Sequence, residues 1–289
     1  MSDGVLVVDK PGGLTSQQVV SRVKRALGVR KAGHAGTLDP MATGVLVVGV
    51  GRATRLLGYV MGSAKQYEAT IRLGCATTTD DAEGEVAGDV LDATGLSDVA
   101  IGAAMAGYVG EIEQVPSAVS AIKVNGQRAY ARVRAGESVE LASRKVTVER
   151  FELLSRCDRA PYVDLEVVVD CSSGTYIRAL ARDVGRDLGV GGHLTSLRRT
   201  RVGPFGVDRA VLLDDAADSA LIPASEAARL ILPTIEVDEA VRLEISHGRP
   251  LPFPVEADPT AVLDAATGDL LALYRPDGPK SVPVAVLLP

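Results

Sequence analysis

The residues with the clearest potential for chemistry lie in one short segment, GHAGTLDPMATG, at positions 33–44. It places His34 and Asp39 among three glycines, and an apolar run follows it directly. The proline after Asp39 restricts the aspartate backbone to extended conformations, and the glycines permit tight turns. An aspartate in this setting can simply stabilise its own loop as an Asx turn. However, the segment sets His34, Asp39 and two threonines between two apolar elements, which marks it as a candidate site.

Three other segments combine a turn or a strand with residues that could bind or react. They are DKPGGLTS (9–16) with Lys10, KQYEA (65–69) with Tyr67, and SSGTYIR (172–178) with Tyr176 and Arg178. Each also has a purely structural explanation: a turn into a capped helix, a tyrosine in the core, and a strand-to-helix turn with a solvated arginine. Taken one at a time, the structural explanations are preferred.

The pattern of histidines, cysteines and glycines argues against a metal and against a nucleotide cofactor. The three histidines (34, 193 and 247) are far apart in sequence, and the three cysteines (75, 157 and 171) form no C-x-x-C motif. We expect the cysteines to be reduced thiols of a cytoplasmic protein. VLVVGVGRAT (45–54) is similar to a dinucleotide-binding turn, but it lacks the third glycine that lets the helix pack on the strand. An enzyme that binds a nucleotide there is kept as an alternative.

The elements that must position these residues are a mixture of strands and helices. Apolar runs and alternation predict strands over 4–10, 44–50, 66–74, 117–124, 138–154, 162–176 and 193–207. Helical spacing predicts helices over 16–27, 52–61, 95–110, roughly 127–135, and 177–189. Because strict βαβ alternation is missing, this order predicts an α+β fold with a mainly antiparallel sheet flanked by helices. After a boundary near 225–235, a proline-bounded strand, a hairpin and a last apolar strand predict a small β-rich domain.

Charge is distributed unevenly along the chain. The formal net charge is −6, which taken alone argues against nucleic acid. However, residues 1–60 carry eight Lys/Arg against three Asp/Glu, and residues 119–150 and 171–210 each carry seven against three. Such blocks could form one positive face for a phosphate backbone. On charge alone a mixed, solvated surface is preferred.

Two further features concern location. No run of about 18 apolar residues occurs, so we expect no membrane span. The first ten residues, MSDGVLVVDK, lack a basic leading region, and we expect no signal peptide.

Taken together and in order, five segments resemble the TruB family of tRNA pseudouridine synthases: DKPGGLTS, GHAGTLDPMATGVL, GRATR, KQYEA and SSGTYIRALARDVG. The resemblance runs from about residue 4 to 205, and the G-H-x-G-T-L-D-P block is highly specific. It implies the pseudouridine synthase catalytic fold over 1–228, with an RNA-clamping insertion at about 117–146. It also implies a small PUA-like RNA-binding domain over 229–289. Gln66 departs from the pattern, because a basic residue is usual beside the tyrosine.

The resemblance implies a reaction for the lone carboxylate. Asp39 would be the nucleophile of an isomerisation in which the uracil–ribose C–N bond breaks and a C–C bond forms, with no metal or cofactor. Arg178 would pair with Asp39 and keep it ionised, and Tyr67 would stack on the target uracil. Whether Asp39 attacks the base, attacks the ribose or removes a sugar proton stays open.

The remaining candidates acquire roles by position. Tyr176 and Leu197 would line the pocket, and Lys10 would support the loop. His34 would fill the space that the target base leaves, because a base inside a folded loop must be flipped out before it can react.

The implied partner is tRNA, recognised at its T stem-loop with uridine 55 as the target. We expect a monomer without an obligate protein partner. A non-catalytic RNA-binding or tRNA-folding module is the other alternative, and it would leave no modified base.

Overall fold

The computed structural model describes residues 3–117, 123–124, 127–128 and 142–288. Among these residues the first ten strands are β1 (Gly4–Lys10), β2 (Ala32–His34), β3 (Thr43–Val50), β4 (Lys65–Leu73), β5 (Ala76–Thr77), β6 (Val86–Ala87), β7 (Gly110–Gln114), β8 (Lys123–Val124), β9 (Gln127–Arg128) and β10 (Arg144–Arg159). The others are β11 (Tyr162–Cys171), β12 (Gly192–Val202), β13 (Phe205–Gly206), β14 (Val211–Leu212), β15 (Ile222–Pro223), β16 (Thr234–Val237), β17 (Thr260–Asp264), β18 (Leu270–Asp277) and β19 (Lys280–Val286).

The α-helices of the described residues are α1 (Ser16–Ala26), α2 (Leu57–Gly62), α3 (Asp98–Ala106), α4 (Ile177–Asp187), α5 (Ala224–Ile231) and α6 (Glu239–Ser246). The chain divides into two units. The first comprises residues 1–40, 44–62 and 202–289, and the second comprises residues 41–43 and 63–201.

In the first unit, β1 lies inside a sheet and has paired strands on both sides. It pairs antiparallel with β3 along its whole length, antiparallel with β15, and parallel with β14. The almost continuous burial of β1 and β3 explains why both read as apolar runs rather than as alternating sequence. β2 extends this sheet by pairing with the second half of β3.

Helix α1 packs on this sheet through one apolar stripe. Val19, Val20 and Val23 are buried with side chains of β1 and β3. The helix begins at a capping box. The Thr15 hydroxyl accepts from the Gln18 amide, and the Gln18 side-chain oxygen accepts from the Thr15 amide. The sequence therefore defines both the start of α1 and the face that it buries.

The C-terminal strands belong to the same unit and share its core. They form a four-stranded sheet in the order β16-β17-β18-β19, in which only the β16–β17 pair is parallel. Ala261, Leu263 and Leu273 of this sheet lie in one hydrophobic cluster with Val5 and Val47 of β1 and β3. This strand-rich segment is thus attached to the first unit by a continuous apolar core.

The second unit is built on long antiparallel strands. The order is β12-β4-β11-β10-β7, and β4 and β11 pair without interruption from Lys65–Cys171 to Leu73–Val163. Helix α4 approaches β12 very closely at Gly185, where an added Cβ would lie 2.2 Å from the Gly192 nitrogen. Only glycine permits this approach.

The predicted α+β fold with a mainly antiparallel sheet is confirmed by these elements and pairings. The helix predicted over 52–61 is instead a 3₁₀ helix (Gly51–Leu56) followed by α2. The helix predicted at roughly 127–135 begins on Gln127–Arg128, which form β9, and its remainder lies outside the described residues, as does most of the predicted insertion at 117–146. The predicted boundary between 228 and 229 stays a prediction.

Candidate functional site

Asp39 lies on a short loop of the first unit, residues 35–40, which we call the Asp39 loop. It leaves β2 at His34, which pairs with Val48 of β3. The Ala35 amide then donates to the Val47 carbonyl at 2.9 Å, so the sheet fixes the entrance of the loop. Leu38 is buried, whereas Asp39 is half-buried. The loop therefore anchors an apolar side chain and leaves the next residue, a carboxylate, partly accessible.

The residue before Asp39 is held by one buried hydroxyl. Ser16 Oγ accepts from the Leu38 amide at 2.8 Å and donates to the Leu38 carbonyl at 3.1 Å. Only 2% of Ser16 is exposed. Because Thr15 caps helix α1, the Ser16 hydroxyl is available for this contact. Both backbone polar groups of Leu38 are thus satisfied from one side chain.

The residue after Asp39 is held as well. The Pro40 carbonyl accepts from the Gly13 amide at 2.8 Å and from Lys10 Nζ at 3.2 Å. Lys10 is fully buried, and its ammonium also donates to the Pro11 carbonyl. The buried Lys10 cation thus bonds one carbonyl of the Asp39 loop, that of Pro40, and its predicted supporting role stays a prediction. The backbone on either side of Asp39 is consequently fixed.

Tyr67 lies in the second unit, on β4, opposite Val169 of β11. Only 7% of it is exposed. Lys65 lies two residues earlier and therefore on the same face of the strand. Burial, together with the smaller effect of the Arg199 charge, lowers the pKa of Lys65 to about 8.

Arg178 is the second residue of helix α4 and is almost fully buried. Its guanidinium pairs with Asp81 at 3.1 Å and donates to the Thr79 carbonyl at 2.9 Å. Asp81 in turn accepts from the Thr79 hydroxyl and from the Glu83 amide. A solvated arginine, the simplest sequence explanation, is therefore wrong. The predicted pairing of Arg178 with Asp39 stays a prediction.

Tyr176 is the N-cap residue of helix α4, and a side-chain amide holds its backbone. The Gln114 side chain accepts from the Tyr176 amide at 2.8 Å and donates to its carbonyl at 3.0 Å. Gln114 itself is buried, with 1% exposed. The guanidinium of Arg144 lies over the Tyr176 ring, 4.5 Å from its centroid. The start of α4 is thus tied to β7 and β10.

Leu197 lies on β12, with 8% exposed, and lines a cavity of about 500 Å³ within the second unit. Apolar and polar groups share this cavity. Its lining includes Met41, Thr43, Ala69, Val167, Leu197 and Arg198. The lining also includes Glu68, Glu83 and Glu166.

The sequence candidates thus fall into two groups. His34, Asp39 and Lys10 lie in the first unit, and Tyr67, Tyr176, Arg178 and Leu197 lie in the second. Three residues that contact them were not foreseen as site residues: Asp81, Gln114 and Arg144. Ser16, which contacts Leu38 beside Asp39, was not foreseen either. For Ser16 the signal in the sequence was the pair Thr15-Ser16: either residue can cap helix α1, so the hydroxyl of the other is left for a different contact. For Asp81 no local signal was available, because Arg178 lies 97 residues away in sequence.

The GVGRAT segment differs from a phosphate-binding turn. Gly51 has a φ of 61° and its amide donates to the Lys31 carbonyl, and a 3₁₀ helix follows it. A dinucleotide site needs an α-helix whose N-terminal amides face the pyrophosphate. The geometry therefore does not support the nucleotide-cofactor alternative.

The described part of the chain lacks two kinds of feature. No group of three or more His, Cys, Asp or Glu side chains is arranged there to hold a metal ion. No helix there combines the length and the apolar character needed to cross a membrane.

Comparison with known proteins identifies the family. Residues 24–177 match the model of the TruB family pseudouridylate synthase N-terminal domain, and residues 178–241 match that of the tRNA pseudouridylate synthase B C-terminal domain. The tRNA pseudouridine synthase B of Cutibacterium acnes is 58% identical over 283 residues, covering 97% of this chain and 95% of the relative. That of Nocardia farcinica is 56% identical over 288 residues, covering 99% and 94%.

Solved structures show the same fold. A crystal structure of a Cbf5–Nop10–Gar1 complex matches with a TM-score of 0.74 and 27% identity, covering 99% of this chain and 85% of that chain. An H/ACA RNP bound to a substrate RNA containing 2′-deoxyuridine matches with a TM-score of 0.73, 26% identity and the same coverage. With these matches over nearly the full length, the chain belongs to the TruB family of pseudouridylate synthases, enzymes that isomerise uridine to pseudouridine in tRNA.

Proposed function

We propose that this enzyme isomerises the uridine at position 55 in the T loop of tRNA, with Asp39 as the nucleophile and the target uridine flipped out of the loop. The observation that carries this proposal is the geometry of the Asp39 loop. Hydrogen bonds fix the residues before and after Asp39, whereas Asp39 itself is only half-buried. Asp39 is also the only Asp or Glu between Asp9 and Glu68. A fixed, solitary carboxylate suits covalent catalysis.

The reaction is balanced without an oxidant or reductant. The bond between uracil N1 and ribose C1′ breaks, the uracil turns, and a bond forms between C5 and C1′. The proton on C5 leaves to a base, and N1 takes up a proton. The carboxylate of Asp39 serves as a transient covalent partner and is regenerated at the end.

The other site residues enter the proposal with the roles implied by the family resemblance. Tyr67 stacks on the target uracil and moves the C5 proton, and Arg178 keeps Asp39 ionised. The burial of Arg178 supports a fixed guanidinium, since its ion pair with Asp81 holds the side chain in place.

Tyr176 and Leu197 line the uracil pocket. The Gln114 bridge and the Arg144 contact support this for Tyr176, because they fix its backbone and its ring. His34 occupies the gap that the flipped nucleotide leaves, and Lys10 supports the Asp39 loop.

The proposed substrate is tRNA, bound through its T stem-loop in the cytoplasm, and the enzyme acts as a monomer without a protein partner. The insertion at 117–146 is proposed to clamp the RNA, and the segment 229–289 is proposed as a PUA-like RNA-binding domain. The relatives named tRNA pseudouridine synthase B support tRNA as the substrate. The uneven distribution of charge supports a basic surface on a negatively charged protein.

The test is site-specific mapping of pseudouridine in an unmodified tRNA transcript. Wild-type protein should modify position 55, and Asp39→Asn should abolish turnover while tRNA affinity stays within about threefold, because the substitution keeps the shape and removes the nucleophile. Asp214→Asn, an exposed aspartate of the same unit, is the control and should keep wild-type turnover.

Turnover of Asp39→Asn within about tenfold of wild type, about 1.4 kcal/mol of barrier, would refute the nucleophile. Pseudouridine at another position would refute the T-loop target. Binding of tRNA without any modified base would indicate the non-catalytic RNA-binding or tRNA-folding module.

A further inference from the structure

We propose that Ser16 is a positioning residue for catalysis, which sets the backbone of Asp39 through its two hydrogen bonds to Leu38. This inference rests on the proposed function of Asp39 and assigns a role to a residue outside the predicted site. It starts from an unusual use of one hydroxyl. The Leu38 amide donates to Ser16 Oγ at 2.8 Å, and Ser16 Oγ donates to the Leu38 carbonyl at 3.1 Å.

The contact joins two elements that are distant in sequence, since 22 residues separate the partners. Ser16 is the first residue of α1, and this helix is fixed on the sheet by Val19, Val20 and Val23. Ser16 and Leu38 are 2% and 3% exposed. A buried hydrogen bond to a well-packed helix holds its partner more firmly than a bond on the surface, because water does not compete for it.

Helix capping does not explain the hydroxyl. Thr15 occupies the N-cap position, and its side chain accepts from the Gln18 amide at 3.2 Å. Alanine is a good helix former at the position of Ser16. The fold of α1 therefore gives no reason for a hydroxyl there, whereas the Asp39 loop does.

Ser16 bonds the residue before Asp39 in the chain, and Lys10 bonds the residue after it. Lys10 Nζ and the Gly13 amide hold the carbonyl of Pro40, the residue after Asp39. Pro40 has no amide hydrogen of its own. Without Ser16, the Leu38 amide and carbonyl, which directly precede Asp39, would lose these two hydrogen bonds. A displacement of about 1 Å at a reacting group can cost about a hundredfold in rate.

The experiment compares Ser16→Ala with Val20→Ala, a control variant that also truncates a buried side chain of α1. Val20 is 1% exposed and lies on the same helix, so its truncation destabilises α1 without removing a bond to Leu38. Both variants are assayed on tRNA transcript at least 15 °C below the Tm of the less stable variant. This margin is on the order of the Tm shift expected when the free energy of unfolding falls by a few kcal/mol. We expect Ser16→Ala to lose at least tenfold in kcat with KM within about threefold, and Val20→Ala to keep kcat within about twofold.

A Ser16→Ala loss no larger than that of Val20→Ala would overturn the proposal, because the effect would then be one of stability. If Ser16→Ala does not fold, Ser16→Cys takes its place, since a thiol is similar in shape but hydrogen-bonds weakly. It should lose at least threefold more kcat than Val20→Ala, and an equal kcat would overturn the proposal. Asp39→Asn is assayed in parallel. Activity in that variant refutes the nucleophile, whereas an inactive Asp39→Asn with an active Ser16→Ala refutes only the positioning role.

Discussion

The ion pair between Arg178 and Asp81 is enclosed on all sides, with 4% and 3% of the two side chains exposed. Taking two charges out of water is costly, and their attraction compensates only when the remaining hydrogen-bonding groups are satisfied. Here the Thr79 carbonyl accepts from the guanidinium, and the Thr79 hydroxyl donates to the carboxylate. The pair therefore fixes the guanidinium in one orientation at the start of α4.

Removal of the carboxylate should test this at the level of one residue. We expect Asp81→Asn to lower the free energy of unfolding by about 3–5 kcal/mol, because it removes the carboxylate charge from a buried ion pair. Pseudouridine formation should fall with it, since Arg178 loses its fixed orientation. Urea denaturation and single-turnover rates are the two measurements.

The matched control is Glu111→Gln, which breaks an exposed ion pair with Lys145 in the same unit, with side chains 67% and 70% exposed. It should change stability by less than about 1 kcal/mol. Equal losses in the two variants would contradict the importance that we give to burial.

Local patterns marked the segments that hold most of the candidate side chains, and the family resemblance assigned their roles, but neither predicted the partners that the structure gives. Lys10 and Arg178 were identified from turn and motif context, and the structure supplies Pro40 and Asp81 as groups that they contact. These partners lie 30 and 97 residues away. A contact across such a distance depends on strand pairing and helix packing, which a single sequence does not encode in its local pattern. The role of Ser16 was missed for the same reason.

At the scale of elements, the position of α4 depends on two glycines. A Cβ on Gly185 would lie 2.2 Å from the Gly192 nitrogen, far closer than any real contact, and backbone atoms cannot move aside cheaply. The helix therefore needs glycine at this position to reach β12. Because Arg178 and Tyr176 lie at the other end of α4, a shift of the helix also moves the site.

We expect Gly185→Ala to destabilise the protein by about 1–3 kcal/mol, the usual range for overpacking, and to lower activity. Gly102→Ala is the matched control, since this glycine also lies inside a helix, α3, but has open space where its Cβ would be. That substitution should stabilise by about 0.5–1 kcal/mol. Thermal unfolding of the two variants decides the matter, and a Gly185→Ala variant as stable as wild type would show that the close approach relaxes freely.

Elements with strong local signals were predicted well. The capping box and apolar stripe define α1, and continuous apolar runs define β1 and β3. Short strands such as β2, β14 and β15 were not predicted, because two or three residues carry no periodicity and exist only through pairing with a neighbour. The same holds for the 3₁₀ helix at Gly51–Leu56, whose hydrogen bonding differs from that of an α-helix with the same apolar spacing.

At the scale of the whole molecule, the net charge of −6 conceals a long basic segment. Residues 11–38 contain five Lys/Arg and no Asp/Glu. The five are Arg22, Lys24, Arg25, Arg30 and Lys31. Among the residues that the structure describes, no carboxylate forms an ion pair with any of them. Cations that no carboxylate neutralises are available to phosphate groups.

The affinity for tRNA should therefore depend steeply on salt, because phosphate binding releases counterions. Arg22→Gln and Arg25→Gln together should weaken binding and reduce the slope of log K against log salt by about one for each phosphate group that the variant no longer binds. Turnover at saturating tRNA should stay unchanged, since neither arginine is bonded to the Asp39 loop. Arg150→Gln is the control, because this exposed arginine is already paired with Glu152, and its slope should match wild type. Fluorescence titrations between low and physiological salt give the slopes. A wild-type affinity independent of salt would show that the net charge, and not the basic segment, governs the encounter with tRNA.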